Sequence, residues 1–186
     1  AMVSLELKKA LAYSTISQIG YMMLSLGVAG LSPQALIYGY VAGLFHLASH
    51  ALFKASLFLG SGTVIHESKT IYMHEMGGLK RYMPTTWFLM LVSAFSLAGF
   101  PFLSGFWSKD AILVSCLLAG NYWLFATALG VAALTSFYSL RFIGLTFHGG
   151  ESSHLQRLKE KPREASLLML VPYACLLYTS DAADEL

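Results

Sequence analysis

The run ALIYGYVAGLFHLASHALFKASLFLGSG, residues 35–62, contains no Asp, Glu or Arg. It is too long and too apolar for a surface helix or a strand. A helix spanning a bilayer needs about 20 mostly apolar residues. Similar runs recur along the 186-residue chain, of which 56% is hydrophobic and only 12% charged. Soluble domains carry about twice that share of charge. The fold class these runs dictate is all-α: a polytopic transmembrane helix bundle.

The spacing of apolar runs predicts four spans, near 11–30, 35–64, 84–119 and 121–147, and a fifth incomplete one from about Ala165. The second is long for a bilayer and must tilt or bend, with Gly39 or Gly43 as the place for a bend. The third is expected to be discontinuous. Its stretch SAFSLAGFPFLSGFWSKDAIL places Gly99, Pro101 and Gly105 mid-span, and Pro101 has no backbone donor. Backbone groups freed at membrane depth are tolerated only against protein or a water-filled cavity.

Basic residues set the orientation. Lys8, Lys9, Lys69, Lys80, Arg81, Arg157, Lys159, Lys161 and Arg163 fall on one side of this topology, while the loops 30–35 and 119–122 on the other side have no Lys or Arg. Such asymmetry marks the cytoplasmic face. Arg141 lies near the cytoplasmic end of the fourth span, where its long side chain can snorkel. The net charge of +2 gives no nucleic-acid footprint. Cys116 and Cys175 stand alone in apolar surroundings, without the spacing of a disulfide framework or a metal site. No signal-peptide pattern opens the chain, and the unfinished last span reads as part of a longer protein.

Two basic residues remain deep in the spans, Lys54 and Lys109. His46, His50 and Lys54 are four residues apart, so they share one helix face over roughly 12 Å. Ionisable groups at membrane depth are costly and must face protein or water. Withdrawal from water disfavours any ammonium, and imidazole titrates near neutrality. Together the row has the parts of a proton relay. It is expected to point towards the broken third span, whose Lys109 follows the break. Ser49, Ser108, Thr135 and Tyr138 are candidate intermediates. Other readings of the same residues are interhelical hydrogen bonding and, for His-x-x-x-His, metal binding, although no third ligand is evident. The polar residues Tyr13, Ser14, Thr15, Ser17 and Gln18 of the first span read mostly as packing.

The segments LKKALAYSTISQIGYMMLSLG, HLASHALFKASLFLGSGTVIH, MGGLKRYMP, SLAGFPFLSGFWSKDAIL and FYSLRFIGLTFHG occur in this order. Together they resemble the L-type antiporter-like membrane subunit of complex I, the proton-translocating NADH:quinone oxidoreductase. Subunits of cation/proton antiporters and membrane-bound hydrogenases are similar. Lys109 in GFWSKD favours the L type. The resemblance implies a piece of the second of two inverted five-helix repeats. It implies Lys54 as the central lysine of a proton path, His46 and His50 as the polar axis beside it, and Lys109 as the terminal lysine towards the outer side. It also implies no redox cofactor bound by this chain, other membrane-arm subunits and the bilayer as partners, and a prokaryotic plasma membrane as the location. A structural membrane scaffold without ion traffic is the contrasting reading. The last residues, CLLYTSDAADEL at 175–186, depart from the pattern and resemble a translated sequencing adapter. They are expected to be a non-native tail after a genuine segment 1–174, without packing against the spans.

Overall fold

A computed structural model of the chain describes residues 1–158 and 160–182. It is built from α1 (Leu7–Ala29), α2 (Pro33–Ser68), α3 (Pro84–Ala98), α4 (Ser104–Leu118), α5 (Tyr122–Phe147), a short α6 (Ser153–Arg157) and α7 (Leu167–Ala182). The described residues form no strand, only an isolated bridge between Glu6 and Tyr72.

Local chemistry explains where the helices begin and end. The Ser32 side chain accepts from the Ala35 amide, and Pro33 occupies the first turn of α2, where its missing N–H costs nothing. Asn121 caps α5 in the same way through the Leu124 amide. α2 ends at Lys69, whose left-handed backbone (φ 56°) returns its N–H to the Ile65 carbonyl.

The helices pack antiparallel around α2, which contacts α1, α3, α4 and α7. α2 and α5 are each long and apolar enough to cross a membrane. Their outward faces are apolar as well: Ile37 is 71% and Trp123 83% exposed. α2 is unbroken helix through Gly39 and Gly43, so neither residue interrupts it. Gly39 instead admits α1: a Cβ there would lie 2.8 Å from the Ser25 carbonyl oxygen, and Ser25 Oγ donates to Gly39 O at 2.5 Å. Here a small residue serves close helix packing, a common use in membranes.

The third span is broken. α3 ends at Gly99, whose φ of 85° is a left-handed conformation that glycine adopts without strain. Residues 99–103 turn the chain, and α4 starts at Ser104. The two halves press together at Gly105, where a Cβ would lie 1.7 Å from the Ser96 carbonyl oxygen. Ser96 Oγ meets Ser104 Oγ at 2.9 Å and accepts from the Gly105 amide at 3.3 Å.

The basic loops gather at one end. The connector 69–83 forms two 3-10 turns, Met73–Glu75 and Leu79–Arg81, pinned by fully buried Met73, Met76, Leu79 and Met83. It bonds to the N-terminal segment (Met73 N–H to Leu5 O, 2.9 Å) and to the loop after α5 (Gly78 N–H to His148 O, 3.2 Å). Arg141 reaches the same end, donating to Ser4 O at 3.1 Å. α7 packs on α2 and α3, with the Tyr173 ring buried. The helix runs on to Ala182, and residues 183–186 of the expected tail lie outside the described residues.

Candidate functional site: buried lysines and a histidine bridge

The sequence-predicted residues are all buried: His46 is 0%, His50 7%, Lys54 5% and Lys109 4% exposed. They do not, however, form one row facing the broken span. Lys54 turns towards α1. Its Nζ donates to the Leu11 carbonyl at 2.8 Å and to Ser14 Oγ at 2.5 Å. The Ser14 hydroxyl itself donates to the same Leu11 carbonyl at 2.8 Å. The reason is helical drift: positions eight apart differ by about 80° around the axis, enough to move from one neighbouring helix to the next.

His46 does face the broken span. Its Nδ1 lies 2.9 Å from Ser108 Oγ of α4, and its Nε2 lies 3.1 Å from Gln18 Oε1 of α1. One imidazole therefore joins three helices. His50 follows at 6.4 Å between ring centroids and packs edge-on against Phe53. Its Nε2 and the adjacent Ser49 Oγ are buried and make no hydrogen bond among the described residues.

Lys109 is held by the break itself. Its Nζ donates to the Leu97 carbonyl, in the last turn of α3, where the helix leaves its carbonyls without intrahelical partners. A cavity of about 170 Å³ lies beside it, lined in part by Ala98, Gly99, Phe106 and Asp110. Asp110 is exposed and does not pair with Lys109, as their angular separation on α4 requires. Ser136 Oγ of α5 donates to the Ala98 carbonyl at 3.3 Å.

The electrostatic character of the site follows. The lysine–carboxylate pairs among the described residues are Lys9–Glu6 and Lys161–Glu151, both at the basic end. Among the described residues neither buried lysine has a carboxylate partner; their hydrogen bonds go to neutral oxygens, and Phe58 and Tyr21 rings lie 5.8 and 5.9 Å from the Lys54 and Lys109 amines. Of the other candidates, Ser108 contacts His46, while Thr135 bonds back to its own helix at Val131 O, 2.8 Å away. Tyr138 lies 3.3 Å from Ser17 Oγ. Sequence reasoning undervalued Ser14 and Gln18. Their signal was a polar pair at i and i+4 on the first span, which looks identical whether it bonds to a neighbour's backbone or to its lysine.

Residues 1–135 match the family described as NADH:quinone oxidoreductase/Mrp antiporter, TM. The chain belongs to this family. Among similar proteins of the family, NAD(P)H-quinone oxidoreductase subunit 5, chloroplastic, of Physcomitrium patens is 44% identical over 172 residues, covering 85% of this chain and 22% of that protein. NAD(P)H-quinone oxidoreductase chain 5 of a Picosynechococcus species is 42% identical over 170 residues, covering 87% of this chain and 24% of that protein. The chain thus spans about a quarter of the length of the curated relatives it matches. Two solved structures share the fold. In the membrane-bound sulfane sulfur reductase, an archaeal respiratory membrane complex, a chain superposes with a TM-score of 0.86 at 30% identity, covering 98% of this chain and 28% of that one. In the Mrp complex from Dietzia sp. DQ12-45-1b the values are 0.78 and 33%, covering 97% of this chain and 19% of that one. Family membership and the apolar spans together make this an integral membrane protein.

Proposed function

We propose that this chain is part of the antiporter-like membrane subunit of a respiratory NADH:quinone oxidoreductase and carries a segment of its proton-translocation path. The observation that carries this reading is the pair Lys54 and Lys109, buried between helices and hydrogen-bonded to neutral oxygens with no carboxylate partner among the described residues. An ammonium so placed can give up its proton without leaving an unpaired carboxylate behind, and the amine that remains still accepts or donates a hydrogen bond. His46 and His50 lie on the same helix as Lys54, and His46 bonds to the residue preceding Lys109. No direct hydrogen bond joins the two lysines, so transfer between them needs intervening polar side chains and water. Electron transfer takes place in other subunits, and this chain binds no redox cofactor of its own. Its partners are the other membrane-arm subunits and the bilayer, in a prokaryotic plasma membrane. The archaeal respiratory complex among its structural relatives supports that location.

The test is proton pumping by the full-length subunit in its assembled complex, reconstituted in vesicles, with Lys54→Ala and Lys109→Ala measured separately. Both are expected to lower pumping while the complex still assembles. Parental pumping by Lys109→Ala would remove it as an obligatory carrier. A second reading, a subunit of a sodium/proton antiporter, is favoured by the 33% identity to the Mrp complex. Sodium-dependent proton movement without NADH oxidation by the complex distinguishes it.

A further inference from the structure

Resting on the proton-path reading, we propose that Gln18 and Ser17 are positioning residues that lock one ring nitrogen of His46, so that its exchangeable proton is taken and released at Nδ1 alone, towards Ser108. The argument follows donors and acceptors along a chain of side chains crossing four helices: Ser108 of α4, His46 of α2, Gln18 and Ser17 of α1, and Tyr138 of α5.

Ser17 fixes the direction. Its hydroxyl donates to the Ser14 carbonyl at 3.0 Å, so its oxygen is left to accept. It accepts from the Tyr138 hydroxyl at 3.3 Å and from Gln18 Nε2 at 3.4 Å. The Gln18 amide group is thereby turned with its NH2 towards Ser17 and its carbonyl oxygen towards His46. Gln18 is 0% exposed, so no solvent competes for either end. A carbonyl oxygen only accepts, and His46 Nε2 must carry a hydrogen to meet it at 3.1 Å. In neutral imidazole the other nitrogen is then bare, and Nδ1 accepts from the Ser108 hydroxyl at 2.9 Å.

Ser108 has a second acceptor, the Gly105 carbonyl at 3.4 Å. This gives its hydroxyl two settings. With His46 neutral, Ser108 donates to Nδ1. When a proton reaches Ser108 Oγ, the hydroxyl hands its original proton to Nδ1 and keeps the arriving one, so serine stays neutral and His46 becomes imidazolium. Ser108 then turns its hydroxyl to Gly105 O and accepts from Nδ1–H, while Nε2–H remains on Gln18. Passage through the ring, in at one nitrogen and out at the other, requires the Gln18 amide to turn over, which Ser17 opposes. His46 therefore exchanges its proton on the side of the helix that bears Lys109 and not towards α1.

The experiment is solid-state nitrogen NMR on the full-length subunit in its assembled complex, with ¹⁵N-histidine and the His46 signals identified by their loss in His46→Asn. At alkaline pH the parent is expected to show Nε2 protonated and Nδ1 bare. Gln18→Leu removes the acceptor, and Ser17→Ala removes the group that orients the amide while leaving Gln18 in place. Each is expected to add a population with Nδ1 protonated. A parent with Nδ1 protonated, or a Ser17→Ala spectrum identical to the parent's, overturns the proposal, and Ser17→Ala decides it if Gln18→Leu does not assemble. Lysine variants that pump normally would sink the proton-path reading while leaving this tautomer measurement intact. Lysine variants that fail, together with an unaltered tautomer, would sink only the role given to Gln18 and Ser17.

Discussion

Lys54 Nζ sits 2.5 Å from Ser14 Oγ, so the central lysine is seated on α1 and not on the broken helix. The Leu11 carbonyl that shares it also accepts from the hydroxyls of Ser14 and Thr15. A single carbonyl with several polar neighbours makes a seat that does not depend on a counter-charge.

Ser14→Ala should therefore weaken proton pumping without abolishing it. One of two hydrogen bonds from Lys54 is lost, worth about 1.5–3 kcal/mol where a charged donor is involved. The effect should be smaller than that of Lys54→Ala. Pumping rates in vesicles at matched complex content give the comparison, and a Ser14→Ala rate equal to the parent's would show that the seat is Leu11 alone.

Gly105→Ala should prevent the broken span from closing. The added methyl would meet the Ser96 backbone at 1.7 Å, and backbone cannot move aside as a side chain can. The cost should reach or exceed the ~1–3 kcal/mol of ordinary overpacking. Gly62→Ala in α2, with nothing within 4 Å of the new atom, is the control. Thermal unfolding in detergent should show a lowered midpoint for the first and little change for the second.

Gly99→Ala should damage function beyond stability. Its φ of 85° costs a residue with Cβ about 1–2 kcal/mol. The new methyl would also lie 3.3 Å from Lys109 Cδ and push the amine away from the Leu97 carbonyl. Pumping per assembled complex should fall more than in a variant equally destabilised elsewhere. Parallel losses in both would mean that Lys109's position is not what Gly99 protects.

Acid should loosen the loop that follows α5. The hydrogen bond from the Tyr82 hydroxyl, and then Lys161 at 3.3 Å, hold the Glu151 carboxyl below its ordinary range. A carboxyl depressed in the folded state stabilises above its unfolded pKa, and that contribution is lost as pH falls through the folded value. Amide exchange at Gly78 and Ser152, which tie connector to loop, should accelerate in that acid range after correction for intrinsic rates. Glu151→Gln should flatten the dependence. An unchanged pH profile in Glu151→Gln would assign it to another group.

Some of this was written in the chain itself. Runs without charge dictate spans because lipid offers backbone groups no hydrogen bonds, and Pro101, which lacks a backbone donor, together with the flanking Gly99 marks the break. Lys54 and Lys109 stand out as costly residues at membrane depth, and their burial follows from that cost. Periodicity placed His46, His50 and Lys54 on one face, but a face is about as wide as the gap between two neighbouring helices. Only packing decided that His46 reaches α4 while Lys54 reaches α1. Packing also gave Gly39 a close contact with Ser25 and made Ser14 and Gln18 partners of the lysine and the histidine. A helical period reports direction around one axis. The identity of the neighbour at that angle is a property of how the helices cross, which no local spacing contains.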